Sequence, residues 1–239
     1  MAKSRVIVEF PDRATYTVRI GGGVAAQLGA DLRAAGVTAD RCLVVCDAEA
    51  ASRCLSPLKE SLAASGFRVN DIAVPAIEPA DAWACAGELL GALSQMNLPQ
   101  DAPVIVCAGV EVAELAAFAF SLQQAHPLVL VPASLAAALR VTGVDAVEVD
   151  AGFASALRAK LQPAFAALDG AFLACEHESE ADMGLYELEQ AAASCDAQFQ
   201  GWLSENLGDV AAYDEEALVL ALTQALAARA DAIGQALCN

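Results

Sequence analysis

The sequence predicts an α/β fold: a Rossmann-like parallel-sheet domain followed by a short all-helical C-terminal segment. Three observations predict it. Short apolar runs bounded by Gly and Pro, such as Val104–Cys107 and Leu128–Val131, suit strands buried on both faces. These runs alternate with segments of helical spacing four or five times, which is the order of βαβ units and of an open parallel sheet with helices on both faces. After Cys175 proline disappears and the rest of the chain keeps helical spacing. The boundary falls near Glu176-His177-Glu178. Residues 1–175 then form an α/β domain of nucleotide-binding type, and residues 176–239 a helical domain.

Taken in order, residues 5–10 and 16–20 alternate apolar and polar about Pro11-Asp12 and read as a hairpin. Gly21-Gly22-Gly23 opens a helix over 24–35 that Gly36 closes. The triple glycine follows a strand and precedes a helix, so it reads as a nucleotide loop or as a tight strand-to-helix turn. Residues 42–46 are a continuous apolar strand ending at Asp47. An acid there can hold ribose hydroxyls or cap the next helix. A helix over 56–65 stops at Gly66, a strand covers 69–74, and Glu78 lies in its Pro-bounded exit, 75–79. A helix over 80–96 ends at Leu98-Pro99.

The stretch 103–135 is one strand, turn, helix and strand, with Ala108-Gly109 at the first turn. The helix N-terminus there offers free backbone N–H groups to an anion. A pyrophosphate cradle wants several glycines, whereas this turn has one, and Glu111 brings negative charge. On its residues alone it reads as a connector. Further on, 133–140 reads as helix, 141–152 as one or two edge strands, 154–161 as a short helix, and 164–168 ends in the turn signal Asp169-Gly170. Three helices follow over 183–195, 196–207 and 215–237, the last capped by Asp214.

Composition limits function. Lys+Arg total 13 against 31 Asp+Glu, a formal net charge of −18, which argues against nucleic acid or an anionic membrane surface as partner. The eight cysteines form no CxxC pair and no Cys/His cluster. Cys42, Cys46, Cys54, Cys85 and Cys107 sit in mostly apolar surroundings and read as reduced core residues of a cytoplasmic protein. The N-terminal apolar run carries Arg5, unlike a signal peptide, and no apolar run reaches the roughly 18 residues of a membrane span.

The ordered series of matches resembles one family, 3-dehydroquinate synthase, over roughly residues 14 to 235. Tyr16 to Gly21 matches its Tyr-x-Val-x-Ile-Gly, and Val44 to Asp47 its strand ending in Asp. Ile77-Glu78 stands at its Gly-Glu. Ala108-Gly109-Val110 and Glu114 stand at its Gly-Gly-Gly and Asp, and Leu115 to Phe118 at its Leu-Ala-Gly-Phe. Pro132 to Ala137, with Ser134, matches its Pro-Thr-Thr-Leu-Leu-Ala. Gly184 and Glu187 match its Gly-x-x-Glu. The resemblance implies a nucleotide-binding α/β domain, a helical domain, and NAD contacts at Asp47, Glu78, Gly109, Glu114 and Ser134.

The departures from the family pattern imply lost chemistry. The family cyclises a seven-carbon sugar-acid phosphate with NAD and a divalent metal, usually zinc, held by one Glu and two His. Glu187 matches the Glu. The two His belong to a C-terminal part that this chain does not reach, and neither His126 nor His177 matches them. Family basic positions read Asp81, Gln124 and Gln190, and a family Asp reads Arg140. The expectation is a truncated, catalytically degenerate relative with no catalytic residues of its own. It would have an altered or vestigial NAD site and a binding, regulatory or assembly role, as a homodimer or hetero-complex. Zinc is expected only with a partner chain, since catalytic sites take three protein ligands. The alternatives are an active synthase completed by a partner, and a repurposed nucleotide or small-molecule binder.

Overall fold

The computed structural model describes residues 2–123, 125–150, 152, 155–176, 178–193, 195 and 197–238. The chain opens with the strands β1 (Lys3–Val8) and β2 (Tyr16–Gly21), a single-turn 3-10 helix at Ala25–Gln27, and helix α1 (Leu28–Ala34). Then come β3 (Arg41–Asp47), α2 (Ala48–Arg53), α3 (Leu55–Ala64), β4 (Arg68–Val74) and α4 (Ala82–Gln95). The central unit is β5 (Val104–Cys107), α5 (Val110–Gln123), β6 (Leu128–Leu130) and α6 (Leu135–Val141). It is followed by β7 (Ala146–Val149), β8 (Leu157–Lys160), β9 (Phe165–Leu168) and α7 (Gly170–Leu173). Helices α8 (Glu178–Ala193), α9 (Ala197–Ala211) and α10 (Glu215–Cys238) complete it.

Seven strands make one sheet in the order β1-β2-β9-β6-β5-β3-β4. Only the β1–β2 pair is antiparallel. From β3 the chain steps outward to β4, then returns to the other side of β3 with β5. The switch point of this sheet therefore lies between β3 and β5, where open α/β sheets leave a crevice at their carboxyl ends. Strands β5 and β6 are buried at every position, so alternation is absent and a continuous apolar run takes its place. Helix α5 is apolar nearly all round because α4, α6, the sheet and the β7–β8 hairpin all pack on it. Helix α10 packs its Ala217, Leu218, Ala221, Leu222, Ala225 and Leu226 side against β1, β2, α8 and α9. It is the one described helix long and apolar enough to cross a membrane by length and composition, although no uninterrupted apolar run in it is that long.

Three local expectations are corrected. The segment read as a helix over 154–161 holds strand β8, paired antiparallel with β7; Ala154 itself lies outside the described residues. Leu, Arg, Ala and Lys suit a helix in isolation, but Ala159 is buried between the exposed Arg158 and Lys160, and that alternation pairs with Val147. The β7–β8 pair is a separate two-stranded sheet over α5 and not an edge of the main sheet. Residues 165–168, marked in sequence only by the turn after them, form β9, which sits between β6 and β2. Helix α2 was not expected, since residues 48–53 carry no apolar stripe; Asp47 caps it instead. His177 and Gln124, named above, and residue 196, the expected start of a helix, lie outside the described residues.

Candidate functional site

The switch-point crevice has a volume of about 240 Å³ and is lined by Asp47, Glu49, Gly109, Glu111, Glu176 and Glu180 among others. Five of its lining residues are carboxylates and none is basic. Its geometry follows from the two strand exits. Asp47 ends β3 and uses both oxygens on backbone: Oδ1 accepts from the Ala50 N–H at 2.7 Å and caps α2, and Oδ2 accepts from the Gly109 N–H at 2.6 Å. The next free N–H of the α5 terminus, that of Val110, lies 3.3 and 3.4 Å from the two Glu180 carboxylate oxygens. A Cβ built on Gly109 would come within 2.7 Å of Glu180 Oε1. The bare backbone that would let a phosphate approach is covered by the protein's own carboxylate.

The neighbouring strand exit repeats this. Leu135 N–H, at the start of α6, donates to Glu176 Oε2 at 2.9 Å. The other Glu176 oxygen accepts from the Tyr213 hydroxyl. Burial pushes the Glu176 carboxyl above the ordinary glutamate value, and burial with this partner raises the Tyr213 phenol. Ser134 is fully buried and caps α6, its hydroxyl accepting from the Ala137 N–H at 3.1 Å.

The remaining expected residues stand elsewhere. Glu78 is exposed and does not line the crevice. Glu114 lies further along α5, where burial raises its carboxyl and Arg140 opposes that shift. Glu187 is paired with two arginines, Arg140 Nε at 3.1 Å and Arg229 Nη2 at 4.0 Å. The structure thus brings Asp47 and Gly109 together, and separates Glu78, Glu114, Ser134 and Glu187 from the crevice lining. Glu176, Glu180 and Arg229 escaped the reading of the sequence. One signal was present: Glu180, Gly184 and Glu187 recur at i, i+4 and i+7, so they share one face of α8. Gly21 ends β2 at φ +139 and a Cβ there would meet the Ala2 carbonyl at 2.5 Å, so this position requires glycine; the triple glycine lines a separate cavity of about 370 Å³ and not the crevice.

The fold is that of a dinucleotide-type α/β sheet with its crevice at the switch point and a helical segment packed over the same edge. No family model matches the chain. It is 32% identical over 210 residues to the 3-dehydroquinate synthase of Bradyrhizobium diazoefficiens, covering 86% of this chain and 54% of that protein. Against the 3-dehydroquinate synthase of Symbiobacterium thermophilum it is 26% identical over 221 residues, covering 91% of this chain and 62% of that protein. Two solved structures share the fold. One is 2-epi-5-epi-valiolone synthase from Streptomyces hygroscopicus, with NAD+ and Zn2+ bound (TM-score 0.77, 20% identity, 97% of this chain and 65% of that one). The other is 2-deoxy-scyllo-inosose synthase (TM-score 0.82, 13% identity, 98% of this chain and 65% of that one). The chain belongs to a 3-dehydroquinate synthase-like family. It spans 41% to 62% of the length of the curated relatives it matches.

Neither cofactor of this family fits the residues as arranged. Among the described residues a dinucleotide's pyrophosphate would meet five carboxylates, no cation, and helix N–H groups already bonded to Asp47 and Glu180. A divalent metal would need Glu187 and further ligands. Among the described residues no group of three or more His, Cys, Asp or Glu side chains is placed to hold one.

Proposed function

We propose that this chain is a 3-dehydroquinate synthase-like protein without cyclisation chemistry of its own, which acts as a binding, regulatory or assembly protein around a vestigial dinucleotide crevice. The observation that carries this reading is the acidic lining of the crevice together with the lack of a basic side chain among its described residues. Phosphate sites are built from cations and free N–H donors, and here both are missing or already used. The chain acts in the reducing cytoplasm, in keeping with eight free thiols, as a homodimer or hetero-complex. Exposed Trp83, Tyr186 and Leu220 offer apolar contact area for such assembly. A strictly monomeric species in light scattering counts against that last point.

A second reading is an active 3-dehydroquinate synthase whose metal ligands and basic groups come from a partner chain. It is favoured by the extent of the match, which runs over 91% of this chain. The two readings separate in a thermal-melt titration with NAD, with and without zinc. The first predicts a cooperative melt that millimolar NAD leaves unmoved. A dinucleotide that binds would add about 2.7 kcal/mol of stability at one hundred times its Kd, and a rise of that size would reject the vestigial crevice.

A further inference from the structure

Four charged side chains from four helices meet outside the crevice lining. Arg140 ends α6; its Nε–H donates to Glu187 Oε1 on α8 at 3.1 Å, and its Nη1 lies 3.4 Å from Glu114 Oε1 on α5. Arg229, on α10, approaches Glu187 Oε2 at 4.0 Å and donates a second N–H to the Leu139 carbonyl of α6. Side-chain exposure is 35% for Arg140 and about half that or slightly more for the other three. Two guanidinium groups and two carboxylates leave the cluster neutral. Glu187 is the position where the family resemblance implied a metal ligand, and metal is bound in two of the structures sharing this fold.

We propose that Arg140 is a built-in cation. Its guanidinium takes the place between Glu114 and Glu187 that a divalent ion would take between carboxylates. It fastens α5, α6 and α8 together permanently, while Arg229 adds α10. Charge neutralisation, which elsewhere is exchangeable, is here covalent to the chain. A planar guanidinium suits this because it directs separate N–H groups at two carboxylates at once and stays charged at every relevant pH. An ammonium on a lysine stem is a point charge and cannot span both in the same way. The consequence is a helical segment whose docking needs no metal and excludes one. The inference concerns the metal position alone, so it stands or falls separately from the dinucleotide crevice.

The test is a set of melts of the full chain in EDTA and in millimolar Mn2+, an ion that suits carboxylate ligands, with bound Mn2+ read by electron paramagnetic resonance. The wild type should melt identically in both and bind no Mn2+. Arg140→Ala should melt several degrees lower in EDTA, regain most of the loss in Mn2+, and show bound Mn2+. Arg140→Ala/Glu187→Gln should show no Mn2+ effect, and Arg140→Lys should fall between wild type and Arg140→Ala in EDTA. Should Arg140→Ala not fold in EDTA, recovery of a cooperative melt on refolding in Mn2+ supports the proposal, and failure to recover overturns it. An equal Mn2+ effect on wild type and Arg140→Ala, or on Arg140→Ala and the double variant, overturns it as well.

Discussion

Asp47 shows how one residue's two sequence readings resolve. At the end of a buried strand it could have faced a ribose or capped a helix. In the fold it caps α2 with one oxygen and holds the Gly109 N–H with the other, so both oxygens are engaged on backbone. A cap contributes about 1 kcal/mol, and a charge-assisted bond to a half-buried N–H about 1.5. Asp47→Ala should therefore lower the unfolding free energy by about 2 kcal/mol in urea titration. A loss below about 0.5 kcal/mol, the size of an ordinary surface change, would mean that the strand exit is held by something else. That Asp47 and Gly109 meet was legible in the sequence, because both sit at strand exits and parallel pairing aligns those exits. That Glu176 and Glu180 fill the same place was not, because nothing local tells which way a helix 70 residues away will lean.

At the scale of elements, α6 and α8 approach each other closely. Gly184 allows this: a Cβ there would come within 2.8 Å of Leu135 Cβ and 2.9 Å of the Ala136 nitrogen. Gly201, exposed within α9, has nothing within 4 Å of its Cβ position. The same substitution should then have opposite signs. Gly184→Ala forces backbone apart and should destabilise by roughly 1–3 kcal/mol. Gly201→Ala trades backbone freedom for helix propensity and should stabilise by about 0.5–1 kcal/mol. Equal effects of the two in matched urea curves would show that α8 does not press on α6 as described. Sequence periodicity recovered these helices well, because three or more turns give enough apolar repeats to define a face. It failed at β8 and β9, each four residues long. Segments that short carry no period of their own, and their strand character comes from partners remote in the chain, β7 for one and β2 and β6 for the other.

Across the whole molecule, charge is the dominant feature. A net charge of −18 makes the folded chain repel itself at neutral pH, and the crevice concentrates that charge at the sheet edge. Glu114 and Glu176 are both held above the ordinary glutamate pKa, chiefly by burial. For a carboxyl raised in the fold, the folded state binds its proton more tightly than the unfolded chain does. Its stabilising contribution is complete below the unfolded value of about 4.3, and it is lost as pH rises through the raised folded value. Self-repulsion weakens in the same direction, since protonation lowers the net charge. The urea midpoint should therefore rise as pH falls from 8 toward the ordinary glutamate range, the opposite of a protein whose carboxylates are mainly salt-bridged. Glu176→Gln keeps an acceptor for the Leu135 N–H and removes the titration, so it should flatten part of this slope, with its midpoint nearest that of wild type at the acid end. If the midpoint instead falls steadily over that range, carboxylates stabilised as anions outweigh the buried ones, and burial does not hold Glu176 against its charge.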